Sequence, residues 1–252
     1  MRPHTNSRRL LAVALFLVGV SACKGPGGNA VVPGSSFQAV TPQSQPAAEA
    51  PQKKFAAISL EPGEVVGTDN LFTPKNGDGP NGGHGDKTAG IPCRPTEYLD
   101  NYHVHFYVGI IADHRQVALP DAIGLIKPGK PTNGFISTAK CFYYIHTHDA
   151  SGTVHIEVPR NLPYSAVKYN LGQMLSIWGV SHGPHNFGPF SGKIQVFIGN
   201  VPLQQVTVSS YTPYTKSLEK IPLQSHEVIW IVIQKKPMPP TSLPPVTFYT
   251  EY

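Results

Sequence analysis

Histidines and carboxylates crowd one short stretch of this chain. The segment "CFYYIHTHDASGTVHIEVP", from Cys141 to Pro159, carries His146, His148, His155, Asp149 and Glu157, in a chain of which only 14% is charged. Neutral imidazole presents a lone pair that suits Zn, Cu, Fe and Ni at neutral pH. A second pair, His103 and His105, stands in "HVHFYVGII" (103–111). If residues 149–152 form a hairpin turn, His148 pairs with Thr153, His146 with His155 and Tyr144 with Glu157. Directly opposed residues point to the same side of a sheet. His146, His148, His155 and Glu157 then share one face, while Tyr143, Ile145, Val154, Ile156 and Val158 form an apolar face fit for a core. "HVHFYVGII" segregates in the same way, with His103, His105 and Tyr107 against Val104, Phe106, Val108 and Ile110. Side by side, the two segments bring five imidazoles and one carboxylate together.

A polar residue on the solvent face of a half-buried strand needs no special explanation. Such faces are usually filled with Lys, Glu, Thr and Ser, whereas five of this chain's eleven histidines occupy these positions. The pattern favours metal binding by His103, His105, His146, His148 and His155 over solvent decoration or a pH-sensing cluster. A divalent transition metal, copper or zinc, is the expected cofactor. Copper tops the affinity order for nitrogen donors, and the scarcity of methionine beyond Met174 and Met238 argues against a Cu(I) site. Asp149, Glu157 and Tyr107 are candidates to support the ligands. Asp149 can instead accept backbone N–H groups in the turn or fix a histidine tautomer. Glu157 can ligate, accept or act as a general base. On zinc with three histidines and an open position, bound water acquires a pKa near about 7, which defines an alternative hydrolase or lyase. A closed, four-ligand site would merely staple the sheet. The balance leans towards binding rather than catalysis, and binding should weaken as pH falls through about 6. His182 and His185 sit in a glycine-rich loop that could fold over the site; His84, His114 and His226 read as surface or turn residues.

The elements that must position these residues are mostly strands. "HVHFYVGII", "HRQVALP", "CFYYIHTH", "TVHIEVP", "KIQVFIG" (193–199), "VPLQQVTV" (201–208) and "HEVIWIVIQ" (226–234) are short, rich in Val, Ile, Tyr and Phe, and bounded by turn residues. They predict an all-β fold, an antiparallel sandwich or barrel, with a cupredoxin-like arrangement among the options. One segment breaks the rhythm. In "NLGQMLSIWG" (170–179), Leu171, Met174, Leu175 and Trp178 fall at helical spacing, Asn170 and Gln173 can form a capping box, and Gly179 can end the helix. The proline-rich tail "KKPMPPTSLPPVTFYTEY" reads as extended along the surface.

Residues 1–22 have the form of a signal peptide: Arg2, Arg8 and Arg9, then an apolar run from Leu10 to Val20. Val20-Ser21-Ala22-Cys23 resembles a lipobox, with Cys23 as the lipidated residue and Lys24 after it favouring the outer membrane. A cell-envelope protein anchored in a lipid bilayer is therefore expected. Loss of residues 1–22 removes three arginines and no acids, so the formal charge drops from +5 to +2. No basic run suggests nucleic acid, and no protein partner is indicated. Residues 23–54 read as a tether, 55–92 as a loop-rich lead-in and 93–252 as the β metal-binding domain. Cys93 and Cys141, in an oxidising compartment, are expected to form a disulfide; thiolate ligation of a metal is the alternative.

"GIPC", "NYHVHFYVGI", "ALPDAIG", "CFYYIHTHDASGTVHIE" and "LGQMLSIWG" together resemble a family of secreted bacterial and archaeal His-rich domains without an assigned reaction. The resemblance spans roughly residues 90–252, and several motifs match in order. Many members carry a third alternating histidine on the first strand, where this chain has Tyr107. The resemblance implies the histidine set and says nothing about catalysis.

Overall fold

A computed structural model describes residues 55–72, 82–97, 102–159, 162, 168–202 and 205–249. The signal segment, Cys23 and the tether lie outside the described residues. The architecture is an all-β sandwich with one α-helix. Its centre is an open sheet built from β1 (Tyr102–Ala112), β2 (Arg115–Val117), β3 (Ile145–His146), β4 (Thr153–Val158), β5 (Lys193–Gly199), β6 (Thr212–Tyr214) and β7 (Val228–Gln234). The spatial order is β6-β5-β7-β1-β4-β3, with β2 pairing β1. The sheet does not close into the barrel that was one of the two expectations. It is not wholly antiparallel either, because β7 runs parallel to β1, with Val228 beside Tyr107 and Ile231 beside Ile110.

That parallel pair explains the burial. β7 is buried at every position and β1 from His105 onward. A strand buried on both faces needs cover on both sides. On one side Phe106, Val108, Ile110, Val154, Ile156, Ile229 and Ile231 pack against the helix Leu171–Trp178. The helix has the expected capping box: Asn170 accepts from the Gln173 N–H, and the Gln173 side chain accepts from the Asn170 N–H. Gly179 closes it at φ 73°. The other side holds a second core of Tyr107, Ile111, Phe197, Val228, Trp230 and Val232. It is covered by a three-stranded layer of Ile58–Ser59, Val246–Thr247 and Thr207–Val208. The tail is thus not a surface strap. Val246 and Phe248 are buried, and Val246–Thr247 is the middle strand of the covering layer. The lead-in contributes buried Ile58 and Leu60 to the same layer.

Gly109 shows how tightly the second core is filled. A Cβ there would lie 2.3 Å from the Trp230 ring and 2.7 Å from Tyr107, so only glycine lets the indole lie across β1. Among the described residues no helix is long and apolar enough to cross a membrane.

Candidate metal centre

The expected strand pairing holds. His146 pairs with His155 across β3 and β4. On the other side of β4, His105 pairs with His155 and His103 with Glu157. His155 therefore stands between two histidine-bearing strands. The face they share is not a solvent face. His105, His146, His148, His155 and Glu157 are each no more than 5% exposed, and only His103 reaches water appreciably, at 21%. Alternation identifies which side chains share a side; it carries no information on what covers that side.

His148 arrives differently from the expectation. Thr153 pairs with Tyr107, not with His148, and the chain leaves the sheet after His146. The segment that reads as one strand divides at Tyr144: Cys141–Tyr143 belongs to a separate small sheet with Cys93–Arg94 and Leu125–Ile126. The departure after His146 is held by Thr147, whose hydroxyl donates to the Pro120 carbonyl at 3.0 Å and accepts from the Ile123 N–H at 2.9 Å. "ALPDAIG" is thus the clamp that fixes the residue between His146 and His148. His148 is further held by Ile136, which donates its N–H to the His148 carbonyl, and by Phe135, stacked on its ring at 4.5 Å.

The tautomers of the pair follow from their partners. His146 Nδ1 lies 2.8 Å from the Tyr143 carbonyl, and His148 Nδ1 lies 2.6 Å from the Ile136 carbonyl. A carbonyl only accepts, so each Nδ1 carries the proton. Both Nε2 atoms then present lone pairs, and they face each other 3.1 Å apart. Two acceptors at hydrogen-bond distance repel unless a proton or a cation lies between them. Burial opposes the proton: it pushes His148 down to about 4 and His146 well below the ordinary value, each further lowered by neighbouring imidazoles. A metal ion satisfies both nitrogens without that cost.

The other donors gather around this pair. His155 Nδ1 lies 3.1 Å from His105 Nε2 and 3.3 Å from His103 Nε2. Glu157 Oε1 lies 3.2 Å from His103 Nε2, 3.5 Å from His155 Nδ1 and 3.7 Å from His146 Nε2. Burial pushes His105 down to about 3 and His155 well below its ordinary value, so these imidazoles stay neutral far into acid. The figure of about 6 belongs to hydrated imidazole, and these rings are buried.

All five candidate ligands converge, and Glu157 joins them as a donor. The supporting roles change. The carbonyls of Tyr143 and Ile136, not Asp149, hold the imidazole N–H groups of His146 and His148. Asp149 accepts from the Ser151 N–H two residues on, the turn role that Asp fills by default, and also from the distant Gly63 N–H. Tyr107 shares the histidine side of β1 but belongs to the second core. It packs on Trp230 at 5.4 Å and accepts from Gln116, and burial raises its phenol pKa. Cys93 and Cys141 are joined as a disulfide, which removes thiolate ligation. His84, His114 and His185 are exposed, and His182 pairs with Glu219 in a separate cleft.

Two further residues lie near the centre: Glu97, which the sequence did not single out, and His226, which read as a surface or turn histidine and instead borders the site. Glu97 Oε1 lies 3.7 Å from His148 Nε2, and burial raises its carboxyl pKa. His226 donates its N–H to the His105 carbonyl at 2.8 Å from a left-handed backbone at φ 55°. With Leu60, Pro62, Phe135 and Phe248 it lines a narrow cleft that reaches His105 and His155. A histidine two residues before the apolar run Val228–Ile233 was a usable signal for His226. Glu97 lies in a loop and has none.

No family model matches the chain, and no match is found among curated proteins or solved structures.

Proposed function

We propose that the chain is a cell-envelope lipoprotein, anchored in the outer membrane through Cys23, whose β-domain binds a divalent transition metal, copper or zinc, through its histidine cluster. The observation that carries the metal reading is the pair of His146 and His148 lone pairs aimed at each other, with both Nδ1–H groups already committed to carbonyls. A buried arrangement of that kind is unfavourable without a cation. Copper(II) and zinc(II) both suit a set of imidazoles with one carboxylate. The narrow cleft to His105 and His155 supports an ion that is taken up and released rather than a sealed structural staple. The same cleft supports a second reading, in which zinc holds a water within reach of a small substrate and Glu157 or His226 moves its proton. Metal analysis of the protein purified from its native compartment, without added metal, tests the main reading. About one or more equivalents of copper or zinc are expected. Protein free of both, which also binds neither more tightly than about 10 μM on titration, overturns it.

A further inference from the structure

We infer that the centre is dinuclear: one ion sits on His146 and His148, a second on His103, His105 and His155, and the Glu157 carboxylate bridges them. This rests on the metal-binding reading above and adds the number and arrangement of ions.

The donor atoms form two sets. One comprises His146, His148, His155 and Glu157; the other comprises His103, His105 and His155; the ligand atoms of each set lie within 4.8 Å of one another. An ion with bonds of about 2.0–2.1 Å spans donors no more than about 4.2 Å apart. Its tetrahedral edges are shorter, about 3.3 Å, and that is the spacing seen here: 3.1 Å for His146–His148, and 3.1 and 3.3 Å for His105 and His103 against His155. These pairs are spaced as neighbouring ligands of one ion are. Five imidazoles and a carboxylate also exceed the four or five ligands that copper or zinc takes. A single ion would leave surplus lone pairs packed against one another in a buried site.

Glu157 occupies the position a bridge requires. Its Oε1 is 3.2 Å from His103 Nε2 in one set and 3.7 Å from His146 Nε2 in the other. Two-metal centres hold their ions about 3.5–4 Å apart, and an anion between two dications offsets their repulsion. Glu97 Oε1, 3.7 Å from His148 Nε2, offers a second carboxylate beside the first pair.

Copper(II) serves as the probe. The whole protein is stripped with chelator and titrated with Cu(II), with native mass spectrometry for stoichiometry and electron paramagnetic resonance for spin count. Two ions per chain are expected. The spin signal should rise with the first equivalent and fall with the second as the bridged pair couples. The double variant H103A/H105A should retain one ion and its full single-ion signal, and E157Q should bind the second ion at least tenfold more weakly. Saturation at one copper per wild-type chain overturns the inference while leaving metal binding intact. So does binding of two ions that contribute two full spins, since such ions lie far apart. No copper at all would instead overturn the metal-binding reading, and this inference with it. The wild-type stoichiometry and spin count decide between these outcomes even if the variants fold poorly.

Discussion

Acid should destabilise the metal-free protein and spare the loaded one. His105 and His148 titrate near about 3 and about 4 when folded, against 6.5 for a hydrated imidazole. Below pH 6.5 the unfolded chain binds protons that the folded chain refuses, so stability falls as pH falls, until the folded pKa is reached. Each pH unit costs about 1.4 kcal/mol per group, so at pH 5 each of these two histidines costs about 2 kcal/mol, roughly 4 together. Buried carboxyls oppose them. Glu227 is buried with its pKa raised to about 7. Its desolvation cost is relieved on acidification, returning about 2 kcal/mol between pH 7 and 5, and Glu97 and Asp149 act in the same sense. His146, His155 and His103, all lowered by burial, add to the loss. Net destabilisation of about 2 kcal/mol by pH 5 is expected, steepening towards pH 4. Urea melts at pH 7, 6, 5 and 4, in chelator and in excess zinc, measure it. Zinc at one hundred times its dissociation constant adds about 2.7 kcal/mol and blocks protonation, so the loaded curve should stay flatter over the same range. A chelated protein whose stability is level or rises from pH 7 to pH 4 would refute the burial argument, because hydrated histidines would show no such slope.

The remaining expectations are simpler. Cys23→Ser should release the protein in soluble form on cell fractionation; a variant that stays with the membrane refutes the anchor. Removing the Cys93–Cys141 bridge, whose ends are 48 residues apart, should cost about 4 kcal/mol on the loop-entropy argument, read from denaturant midpoints of the double serine variant. His146→Ala or His155→Ala should weaken zinc binding by at least tenfold in calorimetry, while His84→Ala and His114→Ala, at exposed positions, leave it unchanged; equal effects would deny the cluster its role.

Much of this centre was legible in the sequence, for physical reasons that can be stated. Strand periodicity identified the histidine side of β1 and β4, and turn length set His146 opposite His155. The helix was readable because its stripe, cap box and terminal glycine agree. Cover was not readable. The histidine side is sealed partly by Leu60 and Phe248, which stand far from the histidines in sequence. Nor was the chain's departure from the sheet after His146, where Thr147 meets Pro120 and Ile123. The parallel β1–β7 pair did leave a trace. "VIWIVI" is apolar without alternation, the mark of a strand buried on both faces, a signal that the antiparallel reading did not use. Glu97 and His226 reach the centre through loops, where spacing says nothing about direction.

The covering layer has a kinetic consequence. Ile58 pairs with Val246, and Thr247 with both Ser59 and Thr207, so its strands join nearly the two ends of the described chain. Such long-range pairings form late, after the loop between them has closed. Synthesis runs in the same direction: His103 to Glu157 emerge well before Val246 and Phe248. For an interval the histidine side of the central sheet would stand open, with its donors assembled and no roof above them. A metal ion reaching the nascent domain then meets little obstruction, and docking of the last strand closes over it. Loading during folding and exchange from the finished protein would thus proceed at very different rates, through an open face in the first case and a narrow cleft in the second.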